Sequence, residues 1–559
     1  MTSTDRNAAI WFSVDGFDPA AKGVNGRRMA GESFLKGWIR HADVAELVSL
    51  TFSTPERDRF ARLARDWGGT RPVRGVSIDT PDRIAPVGTV FYSAPNFAVE
   101  AWRRSRFGGA AWSICGLTHT MSTQAVIQSV YDLRCAPSHA WDAVICTSRS
   151  VHAAVQFLLD QADDYLARRF DGARLPARFQ TPIVPLGVAC DEFTPDPAAG
   201  QALRQRLGVS PGDVVALIVA RLSPYEKFDP LPVYIALAEA QKGLGADSRL
   251  HLLLYGNYPN DYARGIFEKG AAALMPDVGF HVLPHDGAAA RLAALSASDL
   301  FLFPIDNLQE SFGIAPVEAM AAGLPVVASD WDGIRDTVDG EAGIRVPTLG
   351  GRAEHGQLLA HRLHGGMDNY SQYLAQNSAM TRVDVRAMAA AILALAGDRD
   401  RRARMSAAAV ARARQLFDWS VVIPQMQDLF AELAAIRSKA EGEGLAAIPV
   451  TRSPVAPAPM ALFAAFPTAQ IAPDDRRWKT VAPEGRPDIS QTLRLRDYAS
   501  SRRLFDTEAN VLKLAAALAA CGAQGAKVSE LAATTGFSAP QVERILLWLA
   551  KYLFAEEVP

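Results

Sequence analysis

The segment Glu310-Ser-Phe-Gly-Ile-Ala-Pro-Val-Glu318 sets two carboxylates at the ends of a short run, directly after the apolar stretch LFLFP. An ionised carboxylate only accepts hydrogen bonds, so Glu318 can take both hydroxyls of a ribose diol and Glu310 the hydroxyls of a sugar. Between them, Phe312 and Gly313 would open a helix. Its first N–H groups lack partners within the helix and can face an anionic or hydroxylated ligand. A bare pair at this spacing is more often two solvated glutamates at a helix start, where negative charge is favoured anyway. The preceding strand, the internal Phe-Gly turn and the following GLPVVAS shift the reading towards a ligand site. In an open α/β sheet, ligands bind beyond the carboxyl ends of the strands.

The elements that must position this pair are readable as alternation. Short apolar runs at AAIWFSV, AELVSLTF, TVFYSA, AAWSICGL, DAVICTS and TPIVPLGV look like buried parallel strands separated by helices. A second series starts near Asp213, with VVALIVA, RLHLLLYG, FHVLP, LFLFP, LPVVAS and GIRVP as its strands. The fold class expected is therefore α/β, with two Rossmann-like units in tandem. They divide as residues 1–195 and residues 196–440, the latter closed by helices from about Val383 to Lys439. Residues 441–485 are rich in Ala and Pro and read as a semi-extended linker. Residues 486–559 regain helical periodicity and form a small module of their own.

Composition excludes several classes. A chain of 559 residues is too long for one core, and 49% hydrophobic with 21% charged residues is ordinary for a globular protein. A net charge of -2 supplies no global field for nucleic acid or an anionic membrane. The five cysteines (Cys115, Cys135, Cys146, Cys190, Cys521) are scattered without a CxxC pair, as in a reduced cytosolic protein. MTSTDRNAAIWFSVDGF reads as a first strand rather than a signal peptide, and no apolar run is long enough to span a bilayer. His355, His361 and His364 fall on what reads as an exposed helix, and their spacing is not a zinc pattern. Asp15 and Asp18 read as turn chemistry.

With EAMAAGLPVVAS trailing it, the Glu310–Glu318 segment resembles the signature of the retaining GT-B glycosyltransferases of family 4. The resemblance extends over about residues 8–435. It implies that Arg221 and Lys227, in Val219-Ala-Arg-Leu-Ser-Pro-Tyr-Glu-Lys227, face the pyrophosphate of a nucleotide sugar and neutralise the leaving nucleoside diphosphate. The family spaces this pair one residue closer. An exposed ion pair between Lys227 and a neighbouring acid is the plainer reading of that lysine. Leu254-Tyr255-Gly256-Asn257 resembles the glycine turn beside the nucleotide, without the usual acid. Leu283, Pro284 and His285 would border the base. Gly116-Leu-Thr-His119-Thr makes His119 the active-site histidine, set against the donor sugar. Gly23-Val-Asn-Gly26 resembles the first glycine-rich loop, where Gly26 would let the backbone approach the diphosphate or acceptor, though a plain flexible loop fits equally. Pro185–Phe193 resembles the interdomain turn.

What the resemblance implies is transfer of a sugar from a nucleoside diphosphate donor, UDP favoured, to an unidentified acceptor, with retention of configuration. No metal or other cofactor is required, and domain closure excludes water. Two alternatives stay open: a phosphorylase or nucleotide-sugar epimerase on the same fold, and a non-catalytic nucleotide-sugar-binding scaffold acting through the C-terminal module. That module, VSELAATTGFSAPQVERILLWLAKYLF at its centre, resembles a winged-helix unit. Its second helix carries only Arg544 and Lys551 as basic residues and is strongly apolar. Packing, homo-oligomerisation or recognition of a peptide or protein acceptor therefore fit it better than nucleic acid.

Overall fold

A computed structural model describes residues 3–19, 26–172, 174–245, 248–442, 453–471, 476–498 and 505–558. The chain divides into two compact units, residues 1–451 and 452–559.

The first unit holds two six-stranded sheets. One is built from β1 (Ala9–Trp11), β2 (Leu47–Thr51), β3 (Val73–Ser77), β4 (Thr89–Phe91), β5 (Ser113–Leu117) and β6 (Ala143–Ile145), in the order β3-β2-β1-β4-β5-β6. The other is built from β7 (Val214–Val219), β8 (Leu250–Tyr255), β9 (Gly279–Leu283), β10 (Leu300–Phe303), β11 (Val326–Ser329) and β12 (Gly343–Val346), in the order β12-β11-β10-β7-β8-β9. All pairings within both sheets are parallel. Numbered within its own domain, each sheet has the doubly wound order 3-2-1-4-5-6, with a topological switch between its first and fourth strands. The fold is the α/β GT-B arrangement of two Rossmann-like domains. The strands form where the apolar runs lie because both faces of a parallel sheet are covered: Val214 to Ile218 and Leu250 to Tyr255 are buried without alternation.

Two parts of the strand reading need correction. TPIVPLGV is not a strand of the sheet. It runs beside β6 through isolated bridges only, Ala143 with Gln180 and Cys146 with Ile183, because Pro182 and Pro185 have no N–H to extend a ladder. Conversely Val73–Ser77 pairs with β2 over its full length as an edge strand. Its Arg and Gly break the apolar pattern, and only Val76 is fully buried there.

The boundary at residue 440 also needs correction. Helix Trp419–Gly442 returns to the first domain, where Trp419 packs edge-on against Phe34 and Phe430 against Trp38. The expected linker 441–485 lies partly outside the described residues. Its end belongs to the second unit, since β15 (Arg477–Thr480) pairs antiparallel with β16 (Ala555–Val558). A short pairing, β13 (Thr348–Leu349) with β14 (Arg382–Val383), closes the base of an insertion containing helices Ala353–His364 and Tyr370–Ser378. In the second unit, helices Glu508–Ala520, Val528–Thr535 and Ala539–Lys551 enclose a core of Trp478, Leu514, Leu531, Ile545, Leu546 and Trp548. Thr507, not Asp506, caps the first of them; Asp506 instead accepts from Asn510, Gln541 and Arg544.

Two buried carboxyls lead to predictions. Arg104 and Asp142 form an ion pair with no exposed side-chain surface. Asp142 also accepts from the backbone of Ile114 and His139. Removing one partner leaves a buried charge uncompensated, so Asp142→Ala should cost about 3–5 kcal/mol, read as a lowered melting temperature of the first domain. Asp306, just past β10, accepts from the Asp229 N–H, while its Oδ1 is buried without a protein partner. Burial holds its carboxyl at about 7. The folded state therefore keeps a proton that the unfolded chain releases near pH 4, and this contribution to stability is lost as pH rises from about 4 to 7. Asp306→Asn cannot ionise, so its melting temperature relative to the wild type should rise between pH 5 and pH 8.5.

Candidate functional site

The switch point of the second sheet lies between β7 and β10, and Arg221 and Glu310 follow those two strands. The Glu310 carboxylate is tied from two sides. Lys227 Nζ lies 3.4 Å from Oε2, and the N–H groups of Ser311 and Gly313 donate to Oε1 at 3.3 and 3.1 Å. Burial opposes ionisation, but the Lys227 ammonium and the backbone donors of Ser311, Gly313 and Phe312 outweigh it, holding this carboxyl below the ordinary glutamate range. Gly313 takes a left-handed backbone (φ 86°) to turn from this loop into helix Ile314–Ala321, which a side chain would strain.

The helix starts at Ile314 rather than at Phe312, and the N–H groups of Ser311, Phe312 and Gly313 before it are turned onto Glu310 instead of towards a ligand. Phe312 is likewise buried, edge-on to Phe417. Glu318 sits inside the helix, 9% exposed, and its carboxylate is engaged by Arg291 from helix Gly287–Ser296 rather than standing open. Burial lowers the Arg291 guanidinium to about 10.

Both cations are already paired. Arg221 forms an ion pair with Glu226 at 2.6 Å and donates to Gln309 at 3.2 Å, while Lys227 holds Glu310. Gly256 follows β8, where a Cβ would lie 1.8 Å from the Ala220 carbonyl oxygen, so close backbone approach alone requires glycine. His285 lies edge-on to Tyr255, and its N–H donates to Asn257. Gly26 opens helix Gly26–His41, and the loop 20–25 before it lies outside the described residues.

His119 follows β5 of the first domain, and its ring Nε2 bonds the Ser93 carbonyl. Its own carbonyl accepts from Ser311 Oγ, the residue after Glu310. The structure thus brings together His119, Glu310, Lys227 and, through Gln309, Arg221, with Gly256 packed against the Ala220–Leu222 turn that carries Arg221. Other contacts join the same two strand-end faces. Ser148 Oγ donates to Asp332 at 3.4 Å, and the Arg149 N–H donates to Asp336 at 2.7 Å.

The insertion adds residues that the sequence did not single out. Tyr370 Oη lies 2.8 Å from Ser122 Oγ of the first domain and accepts from Gln309 of the second at 3.4 Å. Ser371 Oγ donates to Glu226, the partner of Arg221. Glu226 and Arg291 were also missed. Arg291 meets Glu318 only through folding, and Glu226, five residues from Arg221, carries no motif of its own.

Residues 214–355 match the family described as Glycosyl transferases group 1. A D-inositol 3-phosphate glycosyltransferase of Geodermatophilus obscurus is 32% identical over 33% of this chain and 42% of its own length. Another, of Xylanimonas cellulosilytica, is 28% identical over 56% of this chain and 66% of its own length. A phosphatidyl-myo-inositol mannosyltransferase of Mycobacterium leprae is 35% identical over 27% and 32%. The chain thus spans less than half the length of the first and third of these relatives. Among solved structures, Anabaena Alr3699/HepE in complex with UDP and glucose aligns over 76% of this chain and all of its own, at 17% identity and a TM-score of 0.48. The matched segment 214–355 carries Arg221, Lys227, Gly256, Glu310 and Glu318.

Proposed function

We propose that the chain is a retaining glycosyltransferase that moves a sugar from a nucleoside diphosphate donor, UDP first among candidates, to an acceptor hydroxyl. The observation that carries this reading is the convergence of Arg221, Lys227 and Glu310 at the switch point of the second sheet, with His119 across from them. Arg221 and Lys227 exchange their carboxylate partners for the diphosphate, and Glu310, released from Lys227, accepts from sugar hydroxyls. The bond from the anomeric carbon to the diphosphate oxygen breaks as the bond to the acceptor oxygen forms, and the acceptor proton leaves with the diphosphate. Stabilising charge on that leaving group lowers the barrier. Glu318 with Arg291 and the turn at Gly256 border the nucleoside, and Gly26 approaches the donor from the first domain.

The named substrates of the curated relatives make an inositol phosphate the first acceptor to try. In the second unit, Val542, Ile545, Leu546 and Leu549 of helix Ala539–Lys551 are buried and Arg544 is held by Asp506. A packing, self-association or acceptor-protein role is therefore favoured over nucleic acid. No helix among the described residues is long and apolar enough to cross a membrane. A cytoplasmic site of action is part of the same proposal.

A thermal-shift series with UDP, GDP, ADP and TDP and their common sugars tests the donor reading. A ligand bound to the folded state raises its melting temperature with the logarithm of concentration over Kd. One nucleotide should stabilise the wild type and leave Arg221→Ala unshifted at the same concentration. With the matching donor, Arg221→Ala should lower kcat by about 10²-fold. Stabilisation by none of the nucleotides, together with turnover of a glycoside by free phosphate, would replace this reading with a phosphorylase.

A further inference from the structure

Asp332 combines features that each cost stability. It is one of four described non-glycine residues with a left-handed backbone, at φ 44°. Such strain costs about 1–3 kcal/mol and persists where the surroundings over-determine it. Its Oδ2 is buried and has no hydrogen-bond partner in the protein, while Oδ1 accepts from Ser148 Oγ at 3.4 Å. The residue follows β11 just as Glu310 follows the adjacent β10. The two loops touch: a Cβ on the neighbouring Gly333 would fall 2.6 Å from the Ser311 carbonyl oxygen. Strain and an unpaired polar atom therefore meet in one side chain beside the Glu310 carboxylate.

Resting on the donor-site reading above, we propose that Asp332 is a further substrate-binding residue, a neutral carboxylic acid whose Oδ2–H donates a hydrogen bond to a hydroxyl of the donor sugar. Its surroundings keep the proton on it. Burial and the neighbouring Glu310 charge raise its carboxyl to about 8, and Asp336 adds to the rise. The nearby cations are committed elsewhere, Lys227 to Glu310 and Arg149 to Asp336. Against this rise stand the Gly333 N–H and the Ser148 hydroxyl, so of the two crowded carboxyls Glu310, with an ammonium and several backbone donors, ionises and Asp332 keeps the proton. A protonated carboxyl adds a donor where Glu310 can only accept. As pH rises through about 8 the proton is lost, and with it the hydrogen bond.

The test is calorimetric binding of UDP-glucose and of UDP to the full chain at pH 7 and pH 9. The wild type should prefer UDP-glucose at pH 7 and lose that preference at pH 9. Asp332→Asn, whose amide donates but cannot ionise, should keep the preference at both values. Asp332→Gly should weaken UDP-glucose about tenfold at pH 7, leave UDP unchanged, and melt no lower than the wild type because glycine relieves the left-handed backbone. An unchanged preference in Asp332→Gly, or a preference in Asp332→Asn that falls at pH 9 as the wild type's does, overturns the role of Asp332. A wild type that binds UDP but gains nothing from the sugar overturns it too, leaving the nucleotide site standing. A wild type that binds neither compound overturns the donor-site reading and this inference together.

Discussion

Val188 N–H donates to Phe417 O at 2.7 Å and Trp419 N–H donates to Val188 O at 3.2 Å, tying together the two passages of chain between the Rossmann-like domains. A side-chain bond from Cys190 N–H to Asp418 completes the junction. From it, Trp419 enters the first domain beside Phe34, and Phe417 packs on Phe312 in the candidate site. The junction thus mechanically couples the loop that carries Glu310 to the core of the opposite domain. The last long helix belongs by sequence to one domain and by packing to the other, with Trp419 and Phe430 buried against Phe34 and Trp38.

The electrostatics of the cleft follow from keeping several acids out of water. Glu310 is ionised because Lys227 and a turn of backbone N–H groups surround it. Asp306 and Asp332, with fewer donors, are pushed up by burial. Arg221 and Lys227 are each paired with an acid, Glu226 at 2.6 Å and Glu310 at 3.4 Å. The insertion extends this network: Ser371 holds Glu226, and Tyr370 bridges Gln309 to the first domain. The state of Arg221 is thereby linked to contacts across the cleft.

The C-terminal unit holds together by a different means. Its core is small, and the apolar face of helix Ala539–Lys551 is needed to fill it around Trp478 and Trp548. The opposite face of that helix, with Arg544, Leu547 and Lys551, is exposed. Pairing of β15 with the unit's last strand, β16, makes Arg477–Thr480 part of the folded body rather than a tether.

The division between sequence and tertiary structure is physical. Period and local chemistry were legible in the chain: the twelve parallel strands were nearly all marked by unbroken apolar runs, because burial on both faces removes alternation. The turn at Gly313 and the carboxylate of Glu310 beyond β10 were legible for the same local reason. Where prolines deleted donors at TPIVPLGV, or an edge strand carried Arg and Gly at VRGVS, the local pattern and the sheet disagreed, and hydrogen-bond supply decided. Pairing between distant segments was not legible. That Glu318 meets Arg291, Lys227 meets Glu310 and Asp332 lies beside Glu310 depends on which loops and helices adjoin, and that is set by sheet order. Composition and spacing determined which elements form and where chemistry could sit. Only the tertiary fold decided which charges are satisfied and which acid keeps its proton, because desolvation and Coulomb interactions depend on distance in space, not along the chain.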